Sequence, residues 1–183
     1  MTTSNKTKNM IISAFFVALI AIGAFIKIPI PVLPFTLQYL FTMLAGLLLG
    51  PKRGFIVVSL YVIFGLLGLP IFINGGGLGY IFQPTFGYLI GFAFGAYVTG
   101  VLASKELSFK QLLYSNLAGL MVVYLLGMIY YYLICNFYLG TPIGLWPLFL
   151  YCFLLCVPGD IFLCIVGAIL GKRLIPIIKK KGF

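Results

Sequence analysis

Residues 69–92 read LPIFINGGGLGYIFQPTFGYLIGF, and this stretch decides how the rest of the chain is interpreted. It lies between hydrophobic segments but combines prolines, glycines and polar side chains, which interrupt a continuous spanning helix. Irregular backbone persists in a bilayer only where protein covers it or where it lines a cavity, because lipid cannot satisfy its N–H and C=O groups. We therefore expect a binding site at this stretch.

The composition predicts an integral membrane protein. Of the 183 residues, 63% are hydrophobic and 8% are charged, and the mean hydropathy is +1.20. At about 20 apolar residues per span, this length allows about five to seven helices and no soluble domain. The first apolar run, 11–26, lacks a small-residue cleavage site, so we interpret it as the first span rather than as a removable signal.

The distribution of breakers and charges predicts an all-α membrane protein with six transmembrane helices. We place the spans in a single membrane domain, 1–183, near residues 10–28, 36–51, 53–69, 80–103, 109–135 and 147–174. With a cytoplasmic N-terminus, eleven of the 12 basic residues fall on the inner side, and Lys27 falls on the outer side. The net charge of +10 is therefore interpreted as a topology signal rather than as a nucleic-acid surface. Five or seven spans would separate the two terminal basic clusters, so we expect a multi-pass plasma-membrane protein with both termini in the cytoplasm.

The inner basic clusters also provide a depth scale, because a helix rises about 1.5 Å per residue. Counted from the nearest inner basic residue, Asp160 lies about 18 Å, Gln38 about 21 Å and Tyr88 about 25 Å into the membrane. Asn116 lies about 9 Å in and is assigned to helix packing. Polar groups thus converge on the outer half, which predicts an outer-half ligand pocket covered by loops rather than a channel.

Asp160 is the strongest candidate for a ligand-binding residue, since an ionisable residue within a span is energetically unfavourable and is by default a functional hypothesis. It follows Pro158 and Gly159, so a structural helix cap is one alternative role, and an ion pair with Lys27 is another. A carboxylate accepts hydrogen bonds from N–H donors, whereas Gln38 both donates and accepts and therefore suits an amide-like or urea-like group.

The other candidate binding residues lie mostly in and beside the glycine-rich stretch. They are Tyr80, Tyr88, Thr85, Gly77, Gly79, Asn74 and, in the preceding outer loop, Lys27. An apolar wall is expected from four aromatic side chains, those of Phe35, Tyr80, Phe82 and Tyr88.

Two sets of small residues predict close helix contacts. Ala14 and Ala18 lie four residues apart on the first span and predict a contact either within the bundle or with a partner protein. Gly87, Gly91 and Gly95 repeat at the same spacing in the fourth span and favour close packing against a neighbouring helix.

Catalysis, cofactors and metal binding are not expected. The chain has no histidine, no second acid within a span, and no serine or cysteine with an evident base. The 4 cysteines lie in or beside hydrophobic sequence and are interpreted as small buried hydrophobes rather than as an all-thiolate metal site. The sequence GAILGK at 167–172 is one residue short of a Walker A loop, so the chain is not expected to use ATP by itself.

Four pieces of sequence carry a family resemblance: PFTLQ at 34–38, AGLLLGP at 45–51, GLLGLP at 65–70 with its glycine-rich sequel to residue 92, and VPGD at 157–160. In this order and spacing the chain resembles the BioY family, the biotin-binding S components of energy-coupling factor (ECF) transporters, over nearly its whole length. The resemblance implies capture of biotin at the outer face and ATP-driven import through a transmembrane coupling protein and a pair of ATPases. It further implies that Ala14 and Ala18 dock on the coupling protein, that Asp160 accepts a ureido N–H of biotin, and that loops 28–35 and 70–84 form a lid.

One position departs from the family pattern. BioY proteins commonly carry a lysine three residues after this aspartate, where this chain has Leu163. If that lysine holds the biotin carboxylate, Lys27, the backbone N–H groups of residues 75–79, or solvent must substitute here. A biotin precursor or another cyclic vitamin stays an alternative ligand. A membrane scaffold and an autonomous ion-coupled carrier stay alternative functions.

Overall fold

The computed structural model describes residues 3–29, 34–103 and 107–180, and these residues are mostly helical. The helices are α1 (Thr3–Phe25), α2 (Gln38–Leu49), α3 (Pro51–Leu66), α4 (Phe86–Ala103), α5 (Phe109–Leu133), α6 (Leu145–Phe149) and α7 (Val157–Lys180). A 3₁₀ turn at Leu78–Phe82 and π-helical turns at Ile134–Tyr138 and Leu150–Leu154 complete the helical elements. Strands β1 (Lys27–Ile28) and β2 (Phe35–Thr36) form a short antiparallel ladder. Residues 30–33, within the first predicted lid segment, and Lys105, one of the inner basic markers, lie outside the described residues.

Four segments of the described chain are long and apolar enough to cross a membrane. They are Thr7–Phe25, Phe86–Ala103, Phe109–Tyr138 and Leu145–Ile178. Helices α2 and α3 have 12 and 16 residues, so they are about 18 and 24 Å long. The helix in the second predicted span is therefore shorter than the predicted 36–51, and α4 begins at Phe86 rather than at residue 80 because a 3₁₀ turn and Pro84 precede it.

Helices α4 and α5 pack closely, and the glycines of α4 are the reason. A Cβ atom added at Gly91 would lie 2.9 Å from the Cα of Val123, and one at Gly95 would lie 3.0 Å from the carbonyl oxygen of Gly119. A side chain at Gly87 would overlap the ring-bearing Cβ of Tyr130. The close helix packing predicted from this glycine repeat is confirmed.

A tight turn joins the end of α2 directly to the start of α3. Gly50 has a φ of +82°, which favours glycine, and Pro51 takes the first position of α3. At this end of the bundle, Nη1 of Arg53 donates to Oδ1 of Asn9 at 2.9 Å, which ties the start of α3 to α1. The first turns of α2, α4 and α7 meet in one pocket at the opposite end, so these three helices run in the same direction along the bundle.

The loop between α3 and α4 is held by one buried aromatic ring. Phe72 is 1% exposed and packs against Tyr61 and Tyr80, with ring centroids 5.5 and 4.5 Å away. The N–H of Gly77 donates to the carbonyl oxygen of Gly65 at 2.7 Å, which ties the loop to the last turn of α3. This loop, residues 67–85, is called the outer loop below, after the outer face on which the sequence analysis predicts it.

Asn116 links three helices in the core. Its side-chain Nδ2 donates to the backbone carbonyl oxygen of Cys164 at 2.9 Å, and its backbone carbonyl oxygen accepts from the Tyr39 hydroxyl at 2.6 Å. The assignment of Asn116 to helix packing is confirmed.

Candidate functional site

A pocket lies at the end of the bundle where α2, α4 and α7 begin. Its empty space, including the open mouth, is about 580 Å³. The side chains with polar groups in its lining are Thr36, Gln38, Tyr39, Tyr80, Thr85, Tyr88, Tyr124 and Asp160. Aromatic and aliphatic side chains make up the rest of the wall, together with Cys156. The pocket therefore has the mixed lining that a small, partly polar ligand requires.

The carboxylate of Asp160 is held by a tyrosine from another helix. Asp160 lies in the first turn of α7, and the hydroxyl of Tyr124 on α5 donates a hydrogen bond to its Oδ2. The Tyr124 ring packs edge-on against Phe153 and Tyr88, with centroid distances of 4.9 and 6.3 Å. A carboxylate has about four lone-pair sites, so those left by Tyr124 can accept N–H donors from a ligand.

Gln38 connects the pocket to the outer loop. Its Nε2 donates to the Tyr61 hydroxyl at 2.8 Å, and that hydroxyl donates to the carbonyl oxygen of Ile71 at 2.8 Å. Its Oε1 accepts from the Thr36 hydroxyl at 3.3 Å. These bonds orient the amide of Gln38, which is 1% exposed, toward fixed partners.

The aromatic wall is supported from behind. The Tyr88 hydroxyl donates to the carbonyl oxygen of Cys152 at 3.1 Å, so the phenol crosses from α4 to the segment before α7. A Cβ at Gly127 would lie 2.5 Å from the Tyr88 ring, which shows how closely α5 presses on it. Tyr39 stacks on Phe92 at a centroid distance of 6.3 Å. The wall is thus a packed surface with fixed ring positions.

The structure brings five predicted binding residues together, namely Asp160, Gln38, Tyr80, Tyr88 and Thr85. Asn74, Gly77 and Gly79 were also predicted, but they lie in the outer loop outside the lining, and Ile73 lines the pocket instead. The N–H of Gly77 already donates to Gly65, so it does not offer a free donor to a ligand. A role in binding for the five residues that meet in the pocket stays a prediction.

Lys27 lies beside the pocket rather than in its lining. It is exposed on β1 and pairs directly with Thr36 on β2, whose side chain lines the pocket. Side chains of directly paired residues project from the same face of a ladder, with Cβ atoms about 4.5–5.5 Å apart. Lys27 is therefore placed at the edge of the pocket.

The predicted aromatic wall is correct for three of its four members. Phe35, Tyr80 and Tyr88 line the pocket. Phe82 does not; it is exposed and stacks on Tyr138 at a centroid distance of 4.7 Å. The 3₁₀ turn that carries both Tyr80 and Phe82 directs them to different surroundings.

Two tyrosines of the pocket were missed from the sequence. Tyr124 lies fourteen residues after Lys110, about 21 Å into the membrane and level with Gln38, so the depth scale could have found it. Tyr39 directly follows Gln38, but a tyrosine in an apolar run carries the same signal as ordinary core. The interaction that distinguishes Tyr124, its bond to Asp160, depends on contact between distant helices.

Ala14 and Ala18 are both exposed on α1. Ala14 borders an open groove of about 840 Å³ between α1 and α3, whose other members include Val17, Ile56 and Leu60. A role for the two alanines in docking a partner stays a prediction.

The family was identified by comparison with known proteins. The BioY family model matches residues 1–180. The chain belongs to the BioY family. A BioY relative from Lysinibacillus sphaericus, described as a probable biotin transporter, is 41% identical over 181 residues, covering 98% of this chain and 92% of the relative. The biotin transporter BioY of Thermotoga maritima is 39% identical over 173 residues, covering 91% and 95%.

The fold of a solved S component for biotin agrees with this structure. A crystal structure of the S component for biotin from an ECF-type ABC transporter matches with a TM-score of 0.82 and 31% identity, covering 95% of this chain and 94% of that chain. The all-α membrane fold expected from the sequence is confirmed. Leu163, where BioY proteins commonly carry lysine, is 3% exposed and belongs to the hydrophobic core.

Proposed function

We propose that this chain is the substrate-capturing membrane subunit of an ECF-type vitamin transporter and that its substrate is biotin. The observation that carries the proposal is the meeting of Asp160 and Gln38 in one aromatic pocket of a BioY-family chain. Its role is binding and transport rather than catalysis, because the polar groups of the pocket suit recognition of an amide-like ligand.

The proposed recognition follows from the chemistry of the ligand. The ureido ring of biotin has two N–H donors and one carbonyl acceptor, and the carboxylate of Asp160 accepts such donors strongly. Gln38 has an amide whose second N–H and second lone pair are left after its bonds to Tyr61 and Thr36. Tyr88 and Phe92 provide aromatic surface for the apolar part of the ligand.

We propose six spans in a single membrane domain, formed by α1 to α5 and by α6 with α7 as one interrupted sixth span. Both termini are then cytoplasmic in the plasma membrane, and the pocket opens toward the outer face. The bond between Arg53 and Asn9 supports this arrangement, because it joins two basic-flanked helix starts at the end of the bundle away from the pocket. Residues 70–84 would cover the pocket as a lid, together with the described ends of the segment 28–35, which are residues 28–29 and 34–35.

The proposed partners are a transmembrane coupling protein and a pair of ATPases. Exposure of Ala14 and Ala18 on α1 supports docking through this face. Replacing both alanines with leucine should abolish biotin uptake in cells that contain the partner subunits and leave biotin binding by the purified chain intact. Loss of binding as well would show that these residues serve packing within the bundle.

The test of the proposed function is a calorimetric titration of biotin into the detergent-purified chain, with riboflavin and thiamine as controls. Saturable binding of biotin alone is expected. A folded, monodisperse protein that binds none of the three would overturn the proposal and favour a biotin precursor or another vitamin as ligand. Uptake by the chain without partners, dependent on pH or sodium, would favour an autonomous carrier.

A further inference from the structure

The charges around the pocket are arranged asymmetrically. The lining contains one carboxylate, that of Asp160 on α7, and it accepts a hydrogen bond from the hydroxyl of Tyr124 on α5. The other polar groups of the described lining are neutral hydroxyls and the amide of Gln38. Lys27 lies outside this lining, exposed on β1 and beside Thr36.

This asymmetry orients an anionic ligand. A ligand carboxylate placed next to Asp160 would bring two like charges together away from water, which is strongly unfavourable. The same carboxylate placed at the pocket edge keeps its hydration and approaches Lys27. The N–H-rich head of the ligand then points inward toward Asp160, and its carboxyl end points outward.

An outward carboxyl end contributes little to affinity. Ion pairs between exposed groups contribute about 0–1 kcal/mol, since water and salt screen them. That corresponds to at most about a fivefold change in a dissociation constant.

We infer that this chain recognises its ligand through the head group and accepts a neutral, amidated carboxyl end, so that its substrate class includes carboxamides of biotin. The inference rests on the proposed function, because it takes biotin as the ligand. Lys27 acts as a weak, salt-sensitive contact for the carboxylate.

The experiment compares two ligands on three forms of the full chain: the unmodified protein, Lys27→Gln, and Lys110→Gln as a matched control. Lys110 is an exposed basic residue at the start of α5, at the end of the bundle away from the pocket. The dissociation constants of biotin and of biotin carboxamide, the primary amide, are measured by calorimetry at low and high salt.

For the unmodified chain we expect the two constants to lie within about fivefold of each other, and closer at high salt. Lys27→Gln should weaken biotin to the level of the carboxamide and leave the carboxamide unchanged, whereas Lys110→Gln should change neither. A carboxamide more than about tenfold weaker than biotin would overturn the inference while leaving biotin capture intact. Failure of biotin itself to bind the folded chain would instead overturn the proposed function and, with it, this inference.

Discussion

Replacing Asp160 with asparagine tests the centre of the proposed site, and the structure predicts the size of the effect. The hydroxyl of Tyr124 needs an acceptor, so the asparagine would turn its Oδ1 toward Tyr124 and its NH₂ group toward the ligand. The variant then loses the charge-assisted hydrogen bond to the ligand N–H, which contributes about 1.5–3 kcal/mol to binding. In addition, the asparagine NH₂ group and the ligand N–H face each other as two donors without an acceptor, which costs about 1–3 kcal/mol more. Together these costs are about 2.5–6 kcal/mol, so we expect biotin to bind about 70-fold to 25,000-fold more weakly, measured by calorimetry on the purified variant.

A second substitution separates the loss of charge from the orientation of the amide. In the double variant Asp160→Asn, Tyr124→Phe, the asparagine can turn its carbonyl oxygen toward the ligand, so about tenfold of the affinity should return. Unchanged elution and thermal midpoint in detergent would show that both variants are folded. An Asp160→Asn variant that binds biotin within fivefold of the unmodified chain would refute the role of this carboxylate.

The remaining predictions concern two residues that support the pocket: Gly127, which packs against Tyr88, and Tyr61, which orients the amide of Gln38. Gly127→Ala should displace the Tyr88 ring, because the new Cβ would lie 2.5 Å from it; a loss of about 1–3 kcal/mol in unfolding free energy and weaker biotin binding are expected. Gly144→Ala, whose Cβ would meet no atom closer than 3.4 Å, is the matched control, and an equal drop in both thermal midpoints would contradict the packing argument. Tyr61→Phe removes the hydroxyl that accepts from Gln38 and donates to the outer loop, so biotin should dissociate several-fold faster in a displacement assay. An unchanged dissociation rate would show that the amide is oriented by other contacts.

The helical architecture was predictable from the sequence because lipid imposes simple rules. Apolar length predicted long hydrophobic helices, and the repeat of Gly87, Gly91 and Gly95 predicted the close pairing of α4 with α5. The orientation predicted from the basic clusters stays a prediction. The start of α4 was less accurate. An apolar residue such as Phe82 has the same hydropathy in a 3₁₀ turn as in a spanning helix, so the pattern did not separate the two.

The candidate site was predictable where position depends on helical rise. Gln38 and Asp160 lie at similar depths on helices that turn out to be neighbours, and both line the pocket. The outer loop was not predictable in this way, because its course depends on Phe72, which inserts beside Tyr61 after a reversal of the chain. Hydropathy does not encode such a contact, and Gly77 was therefore placed in the pocket incorrectly.

The common direction of α2, α4 and α7 has an electrostatic consequence. The aligned peptide dipoles of a helix leave about half a positive charge at its N-terminus, and the first turns of these three helices border the pocket. Asp160 stands in the first turn of α7, where that partial charge is favourable to it. The dipole of α7 thus offsets part of the cost of burying this carboxylate in a hydrophobic bundle that has no basic residue beside it in the described lining.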